Sequence, residues 1–305
     1  MFMEASTTST ISYSKCPVCH HEGIWKVLSA KDYTVSGQTF EVWSCKNCEA
    51  RFTQEVPSEE TIGAFYESEE YISHSNTSKG LVNTLYQQVR NITLDQKRKL
   101  ILSVSGKSQG SILDIGCGTG EFLGKMKDTG WETRGLEPSE SARNQARENF
   151  QIEVSDPSDL FDLDENQFDV ITMWHVLEHV HRLHAYMDKI HEILKPGGTL
   201  IIAVPNYQSL DADFYGEEWA AYDVPRHLYH FSPKSMNQLL EDHQFTLAQE
   251  KPMPFDGFYV SLLSEKYKHG KSRLIHGFWT GFRSYLKSVG NVKNCSSVMY
   301  IAKPK

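Results

Sequence analysis

Residues 112–121 read Ile-Leu-Asp-Ile-Gly-Cys-Gly-Thr-Gly-Glu: a short strand-like run passes into three glycines on alternate positions, Gly116, Gly118 and Gly120. A chain written this way stops being a strand, bends sharply and enters a helix, with bare backbone turned toward whatever occupies the bend. Dinucleotide-binding sheets use a related turn, so the glycines alone do not name the ligand. Asp114 inside the strand and Glu137 at the end of the next one narrow the choice, because a phosphate cradle ordinarily keeps carboxylates away from its anion. An adenosine ligand with a cationic sulfonium and an amino acid end tolerates both acids.

The flanking sequence supplies the context that a chance match lacks. Strands are predicted over 111–115, 132–136, 151–154, 168–172 and 199–204, and helices over 121–129, 139–149 and 183–194. Lys195-Pro196-Gly197-Gly198 reads as a stop after the last of these helices. Crossovers of this length imply parallel pairing and right-handed connections. The fold class is therefore α/β, with ligands beyond the carboxyl ends of the strands.

With 305 residues, 39% of them hydrophobic and 11% aromatic, the chain can bury one sizeable core and a smaller unit. A formal net charge of -8 supplies no general field for polyanions, and no basic run exceeds Lys97-Arg98-Lys99, so nucleic acid is not the expected partner. The first residues carry Glu4 and a Ser/Thr run where a signal peptide has a positive flank and an apolar core, and the apolar stretches have strand length. A cytoplasmic enzyme without a transmembrane segment is expected.

The six cysteines are used unevenly. Cys16-Pro-Val-Cys19 and Cys45-Lys-Asn-Cys48 form two knuckles separated by the 25 residues 20–44, a spacing that turns four thiolates toward one tetrahedral metal, with zinc the best candidate. Reduced cysteines or two redox pairs are the alternative. The segment 14–55 has few large apolar side chains, the condition in which a metal staple contributes folding energy. Between the knuckles, 23–42 reads as strand, turn and strand. His20 and His21 are expected to face solvent, because four sulfurs already complete a structural site. Residues 58–106 read as helical, first over 59–71 with Phe65, Tyr66 and Tyr71, then along an apolar stripe from Leu81 to Ile101. These helices are expected to pack over the carboxyl edge of the sheet as a lid. The organisation is a zinc ribbon over 1–57, a helical lid or linker over 58–106, and an α/β domain over 107–305.

Four stretches together carry a family resemblance: Leu113-Asp-Ile-Gly-Cys-Gly-Thr-Gly120, Gly135-Leu-Glu-Pro-Ser139, Phe168-Asp-Val-Ile-Thr-Met-Trp-His-Val-Leu-Glu-His-Val180 and Leu194-Lys-Pro-Gly-Gly-Thr-Leu-Ile-Ile-Ala-Val-Pro-Asn206. Over about 110–250 the chain closely resembles class I S-adenosylmethionine-dependent methyltransferases. It is most similar to the zinc-ribbon-bearing small-molecule branch, whose relatives include sugar C-methyltransferases and quinone-type O-methyltransferases. The resemblance implies a Rossmann-like sheet of seven strands with helices on both faces and the last strand antiparallel. Segments 246–251 and 297–302 suit the sixth and seventh strands. Two amphipathic helices over 257–268 and 273–289 then form an insertion, about 255–290, that departs from a minimal methyltransferase and would cover a large acceptor or make a dimer contact.

The resemblance also implies roles. S-adenosylmethionine would be the cofactor, beside structural zinc on Cys16, Cys19, Cys45 and Cys48. Asp114 would order the glycine loop and hold the amino group of the methionine moiety, while Gly116, Gly118 and Gly120, with Cys117 between them, bring backbone close to it. Glu137, followed by Pro138, would accept hydrogen bonds from both ribose hydroxyls, since a carboxylate has two acceptor oxygens. The adenine pocket would come from the loop after the third strand, with Asp156, Pro157 or Asp159 at its edge. Trp174 and His175 would flank the sulfonium and the acceptor.

Methyl transfer from a sulfonium is a direct displacement, and a base is needed only where the nucleophile must lose a proton. His175 borders the cofactor region. His227 and His230 lie in Trp219-Ala-Ala-Tyr-Asp-Val-Pro-Arg-His-Leu-Tyr-His-Phe231, after the fifth strand, where an acceptor pocket belongs. Similar zinc-ribbon methyltransferases carry Pro-x-His-Leu at this place, which raises His227 above the other two. Tyr222, Asp223 and Arg226 can hold polar groups of a substrate, although Arg226 can equally pair with Glu217 or Asp223. Aromatic residues along 214–231 and 255–282 suit a planar, sugar or lipid-linked small-molecule acceptor, and O- and C-transfer stay open. An RNA methyltransferase is the alternative enzyme, weakened by the acidic charge and by the absence of an Asn-Pro-Pro-Tyr motif; a non-catalytic zinc-ribbon interaction protein is the other.

Overall fold

The computed structural model describes residues 9–66, 81–253, 255–271, 273–288 and 291–305. Its N-terminal unit consists of β1 (Thr10–Ile11), β2 (Ile24–Lys31), β3 (Thr39–Cys45), β4 (Arg51–Thr53) and β5 (Val56–Pro57). The two knuckles meet there. Cys16 Sγ lies 3.6 Å from Cys48 Sγ and Cys19 Sγ lies 3.6 Å from Cys45 Sγ. Tetrahedral bonds of about 2.3 Å to zinc put sulfurs about 3.8 Å apart, so the four thiols fit that ion with little adjustment. The amides of Val18 and Asn47 point at Cys16 Sγ and Cys45 Sγ, as backbone does around thiolates that carry charge. His20 and His21 are exposed, as expected.

A 3-10 turn, Ile62–Tyr66, and the long helix α1 (Leu81–Ser105) lead to the main body. Its elements follow as β6 (Ser111–Ile115), α2 (Glu121–Lys127), β7 (Glu132–Leu136), α3 (Glu140–Phe150), β8 (Glu153–Ser155), β9 (Phe168–Trp174), α4 (Leu183–Ile193) and β10 (Leu194–Pro205). Beyond β10 come α5 (Leu210–Tyr215), β11 (Tyr229–His230), α6 (Pro233–Asp242), β12 (Phe245–Pro252), α7 (Asp256–His269), α8 (Leu274–Ser288) and β13 (Ser297–Pro304). The main sheet has seven strands in the order β12-β13-β10-β9-β6-β7-β8. β6, β7, β8, β9 and β10 pair in parallel, and β13 runs antiparallel to both β10 and β12. The order reverses at β6, which puts the glycine turn at the switch point of the sheet, where ligands of such folds bind. Strands buried on both faces explain the continuous apolar runs: every residue of β6 is buried, as are the first six of β9.

Three expectations change. Lys195–Gly198 does not stop the chain before a new strand, because β10 begins at Leu194, paired with Phe168, and its register shifts before Thr199. Gly197 at φ 75 absorbs that irregularity. Within 58–71 the described residues form only the short 3-10 turn, and Tyr71 lies outside the described residues. Finally, α1 is less a lid than a core helix. Ile101 is fully buried in one cluster with Ile112, Leu123 and Val170, against a face of the sheet.

The ribbon is joined to the body by packing and by pairing. β11, from the body, adds to β4 in the four-stranded sheet β11-β4-β3-β2, with Tyr229 opposite Phe52 and His230 opposite Arg51. Cys16, Cys45 and Cys48 share one buried cluster with Leu228, Tyr229 and Phe231. Metal loss is therefore expected to reach the body. Clean protein should carry one tightly bound zinc per chain, and Cys48→Ser should lose it and lower the melting temperature of the whole chain, read by metal analysis beside calorimetry. Absence of bound zinc in the unaltered protein would remove the assignment.

Candidate active site

The turn after β6 is held by backbone. Gly116 N and Cys117 N donate to Leu136 O at 2.7 and 3.1 Å, and Gly116, Gly118 and Gly120 stand at φ 75, 55 and 84. Their duties divide. A Cβ on Gly116 would sit 2.3 Å from Val176 Cγ2, and one on Gly120 2.8 Å from Ala146 Cβ, so both glycines permit close packing. At Gly118 an added Cβ meets nothing within 4 Å, and this is the glycine that faces open space. Cys117 is buried beneath the turn, where burial and the nearby Asp114 and Glu137 push its thiol up and keep it neutral.

Glu137 ties the turn to the next strand. Its Oε2 accepts from Gly118 N and its Oε1 from Ser139 N, both at 2.9 Å, which leaves lone pairs on both oxygens. Pro138 O and Glu137 O both accept from Arg143 Nη1, which also reaches Asp156 Oδ2 at 3.1 Å. Asp156 caps the turn after β8 through Ser158 N, in the loop where the nucleobase edge was expected. Asp114 is 2% exposed and accepts from Thr172 Oγ1 at 2.5 Å. Burial pushes its carboxyl up to about 7 against the opposing pull of Thr172 and Lys97. Trp174 closes this region. Its Nε1 is buried without a hydrogen bond among the described residues, Phe122 meets its ring edge-on, and Lys97 Nζ lies 4.1 Å from its ring centroid. Lys97 was missed as a site residue; its only sequence signal was membership of the one basic run.

Beyond β9 the chain makes a tight loop against the glycine turn, through Val176 on Gly116. His175 stands at φ 57. Its Nε2 meets Asp256 Oδ2 at 2.9 Å and its Nδ1 meets Glu178 Oε1 at 3.4 Å. Burial opposes the charged ring, but these two carboxylates outweigh it and hold His175 up at about 10. A ring kept protonated gives or shares protons; it does not collect them.

Glu178 is fully buried, and neither of its oxygens has a hydrogen bond among the described residues. Its neighbours are His179 and His227, and one ligand atom from each of the three lies within 4.8 Å of the others. The two rings meet edge to face at 4.6 Å between centroids. His179 Nδ1 contacts Arg226 O at 3.0 Å and His227 Nδ1 contacts Ala221 O at 2.9 Å. A carbonyl only accepts, so each Nδ1 carries its proton and each Nε2 presents a lone pair. Burial, with His227 beside it, lowers His179 to about 4, which keeps that ring neutral. Tyr66 reaches the same His179 from the turn before α1. A carboxylate and two imidazole lone pairs thus converge with no proton among them.

The remaining sequence candidates point elsewhere. His230 is buried with Nε2 3.1 Å from Thr53 Oγ1 and packs edge-on against Tyr222, so it belongs to the junction with the ribbon. Burial lowers it well below its ordinary value. Arg226 is 1% exposed and is spent inside the protein on Asp223 and on Asp32 of the ribbon, leaving nothing for an acceptor's carboxylate or phosphate. It pairs with Asp223 and not with Glu217. Asn206 donates to Lys293 O and Cys295 O, a structural use.

Residues 88–250 match the family described as a methyltransferase domain. The chain belongs to that family, and its sheet is the class I S-adenosylmethionine-dependent methyltransferase fold. It is 25% identical over 165 residues to the ubiquinone biosynthesis O-methyltransferase of Bradyrhizobium sp. (strain ORS 278), covering 48% of this chain and 62% of that one. It is 33% identical over 170 residues to the protein of the same description from Alkalilimnicola ehrlichii, covering 52% and 67%. The chain thus spans about three fifths of the length of the first of these relatives. Among solved structures, the fold resembles that of the Burkholderia thailandensis 1,6-didemethyltoxoflavin-N1-methyltransferase, with TM-score 0.50 and 14% identity over 90% of this chain and 100% of that one.

The residues fit S-adenosylmethionine better than a dinucleotide. Two carboxylates flank the turn, one buried and one with free lone pairs, and the open side of Gly118 lies beside the latter. A pyrophosphate would meet like charge there, whereas a ribose finds acceptors and a cation finds Asp114. Glu137→Ala should weaken S-adenosylhomocysteine binding about 10- to 100-fold, the equivalent of about 1.5–3 kcal/mol for hydrogen bonds to a charged acceptor, beside a loss of melting temperature from the two backbone amides it holds, and Glu137→Gln, which keeps an acceptor for the turn, should restore the melting temperature more than the affinity. Calorimetric titration checks both this and a pH effect. Affinity should fall as pH drops through about 7, because Asp114 then takes a proton and loses its hold on the ligand's ammonium, and Asp114→Asn should abolish the trend. The ligand-free protein should show the reverse sign in stability. A carboxyl whose folded pKa is raised binds its proton more tightly when folded, so stability declines from the ordinary carboxylate range up to about pH 7 and then levels off.

Proposed function

We propose that the protein transfers the methyl group of S-adenosylmethionine to an oxygen or an activated carbon of a small organic acceptor, with His227 as general base. The reading rests on one observation: the buried carboxylate of Glu178 and the lone pairs of His179 and His227 converge without a proton among them, one turn of chain from the glycine loop. Such a set of acceptor atoms is complementary to a hydroxyl or carbon acid that brings the proton itself.

When bound, S-adenosylmethionine supplies an electrophilic methyl whose bond to sulfur breaks as the new bond to the acceptor forms. The protein positions the partners. Glu137, held by the Gly118 amide, would fix the sugar side, Asp114 and Trp174 the cationic side, and the loop 175–179 would bring the acceptor's side up to the same edge. His227 Nε2 takes the proton that the acceptor loses, because Nδ1–H is committed to Ala221 O. Glu178 steadies the imidazolium that results, and Asp223 Oδ2, 3.9 Å from His227 Nε2, adds to that field. His175, already protonated and tied to Asp256, orients the loop.

A second reading uses the same atoms. Glu178, His179 and His227 are the donor types that hold a divalent cation, and both rings anchor their other nitrogen on a carbonyl, as metal-bound histidines commonly do. The acceptor's oxygens would then bind through the ion.

For either reading the net charge of -8 argues against a polynucleotide acceptor. His227→Ala should cut turnover about 100-fold or more while leaving S-adenosylhomocysteine affinity unchanged, read by transfer of labelled methyl to a phenolic acceptor pool beside calorimetry. Unchanged turnover would remove His227 as base. Dependence of turnover on added magnesium or manganese, lost in Glu178→Gln, would favour the second reading over the first.

A further inference from the structure

The helical insertion is built inside out. In α8 the residues turned inward are small: Gly277 lies against Leu262, Gly281 against Phe258, and Ser284 is buried beside Asp211. The spacing of these small residues lets α8 settle closely on α7, as in helix pairs that pack within lipid. The large apolar residues point the other way. Leu274, Ile275, Phe278, Trp279 and Leu286 are 66, 76, 57, 58 and 54% exposed. Phe282 stacks with Phe278 at 6.3 Å between centroids and meets Trp279 at 5.8 Å, so the face is continuous. Tyr259 and Phe255 extend it onto α7 at 52 and 45% exposed. A helix that buries glycine and exposes tryptophan and phenylalanine over about 22 Å is not stabilised by that face in water.

Charge identifies the surroundings that this face suits. Residues 255–290 carry six Lys or Arg against two acids, in a chain whose net charge is -8. Both acids face inward. Asp256 is bound to His175, and Glu265 is 3% exposed, between Tyr215, His269 and Arg273. Lys268 faces Glu218, and the remaining outward charge of the insertion is positive, from Lys271 near the helical junction to Arg283 and Lys287 along α8. A second copy of the same face would repel it. An anionic surface with an apolar interior would not.

We infer that the α7–α8 face is a docking surface for an anionic lipid bilayer, on which the protein lies through α8 without spanning it. No helix among the described residues is long and apolar enough to cross a membrane, in keeping with a peripheral mode. Phe278 and Trp279 enter the headgroup boundary while the flanking Lys and Arg side chains reach the phosphates. This inference depends on the surface alone and stands apart from the identity of the methyl acceptor.

Co-sedimentation of the full chain with vesicles of phosphatidylglycerol and phosphatidylcholine in equal parts tests it, beside pure phosphatidylcholine vesicles and a high-salt arm. The expected result is binding to the anionic vesicles, little to the neutral ones, and loss at high salt as the Debye length shrinks. Phe278→Ser with Trp279→Ser should reduce binding at least about tenfold, and Lys271→Glu with Arg283→Glu and Lys287→Glu about 100-fold, taking the usual contribution of each basic residue near a charged bilayer. Unchanged S-adenosylhomocysteine affinity and melting temperature in both variants would certify their fold. Failure of the unaltered protein to bind anionic vesicles at low salt would overturn the proposal, as would equal binding by all three proteins. A dimer in sedimentation equilibrium that Phe278→Ser with Trp279→Ser splits, without vesicle binding, would give the face to a second copy instead.

Discussion

The guanidinium of Arg226 holds the ribbon, the turn before α1 and the acceptor side of the sheet in one arrangement. It is 1% exposed, pairs with Asp32 Oδ1 at 3.1 Å and Asp223 Oδ1 at 2.6 Å, and donates to Phe65 O at 2.9 Å. Asp32 is fixed in turn by the amides and hydroxyls of Thr34 and Ser36, and against the cost of burial these donors and Arg226 keep its carboxyl down at about 2. Removing one partner from such a buried set leaves a charge without compensation, commonly at a cost of about 3–5 kcal/mol. The consequence for the site is geometric. Asp223 stands at φ 35 in Arg226's grip, and the next turn of chain presents His227 with its Nδ1 on Ala221 O. The ribbon thereby acts as a wall that sets where an imidazole points, and its role exceeds that of an appended metal staple.

Buried charge is arranged in the same way at the other end of the site. Glu178 and Asp256 are both drawn to His175, and the three form one unit that joins the loop after β9 to the first turn of α7. Burial alone would neutralise each of these groups; together they keep His175 protonated and both carboxylates ionised. Because His175 is already engaged, the imidazole lone pairs left at this edge are those of His179 and His227. The neighbouring His179 differs through Tyr66, whose hydroxyl lies 2.9 Å from its Nδ1.

Much of the fold was legible because its signals are local. Alternating strand and helix patterns placed the core strands, the three glycines fixed the switch point, and the two knuckles predicted a four-sulfur cluster that is found assembled. The positions of Asp114 within β6 and of Glu137 just after β7 were legible for the same reason, since both follow from the strand pattern. What was not legible depends on contacts across the chain. No local signal shows that β11, a two-residue strand, completes the ribbon sheet, or that Arg226 finds Asp32, 194 residues away in sequence. The same limit explains the histidines. His175, His227 and His230 are alike in composition and near the right strands, yet one is held by acids, one faces a buried carboxylate, and one supports Thr53. Glu178 was quoted within the family motif without a role, and His179 was read as a helix-start or contact residue, because their convergence with His227 is made across the chain and no spacing reveals it.

The insertion draws these threads together. Its first residue, Asp256, touches His175, which touches Glu178 beside His227; its far face carries the exposed phenylalanines and tryptophan. One pair of helices therefore has an inner end in the electrostatic network of the site and an outer face suited to a bilayer. Docking need not change any covalent geometry to matter. On a bilayer it would fix the position of α7, whose Asp256 holds His175, against the boundary that receives Phe278 and Trp279. Loss of the ion pair at Asp256 would free the inner end of α7 while leaving the outer face intact, which separates what the insertion does for position on a surface from what it does for orientation of the loop. Those two duties, on opposite sides of one glycine-lined helix contact, account for why this chain carries an insertion that the core fold does not require.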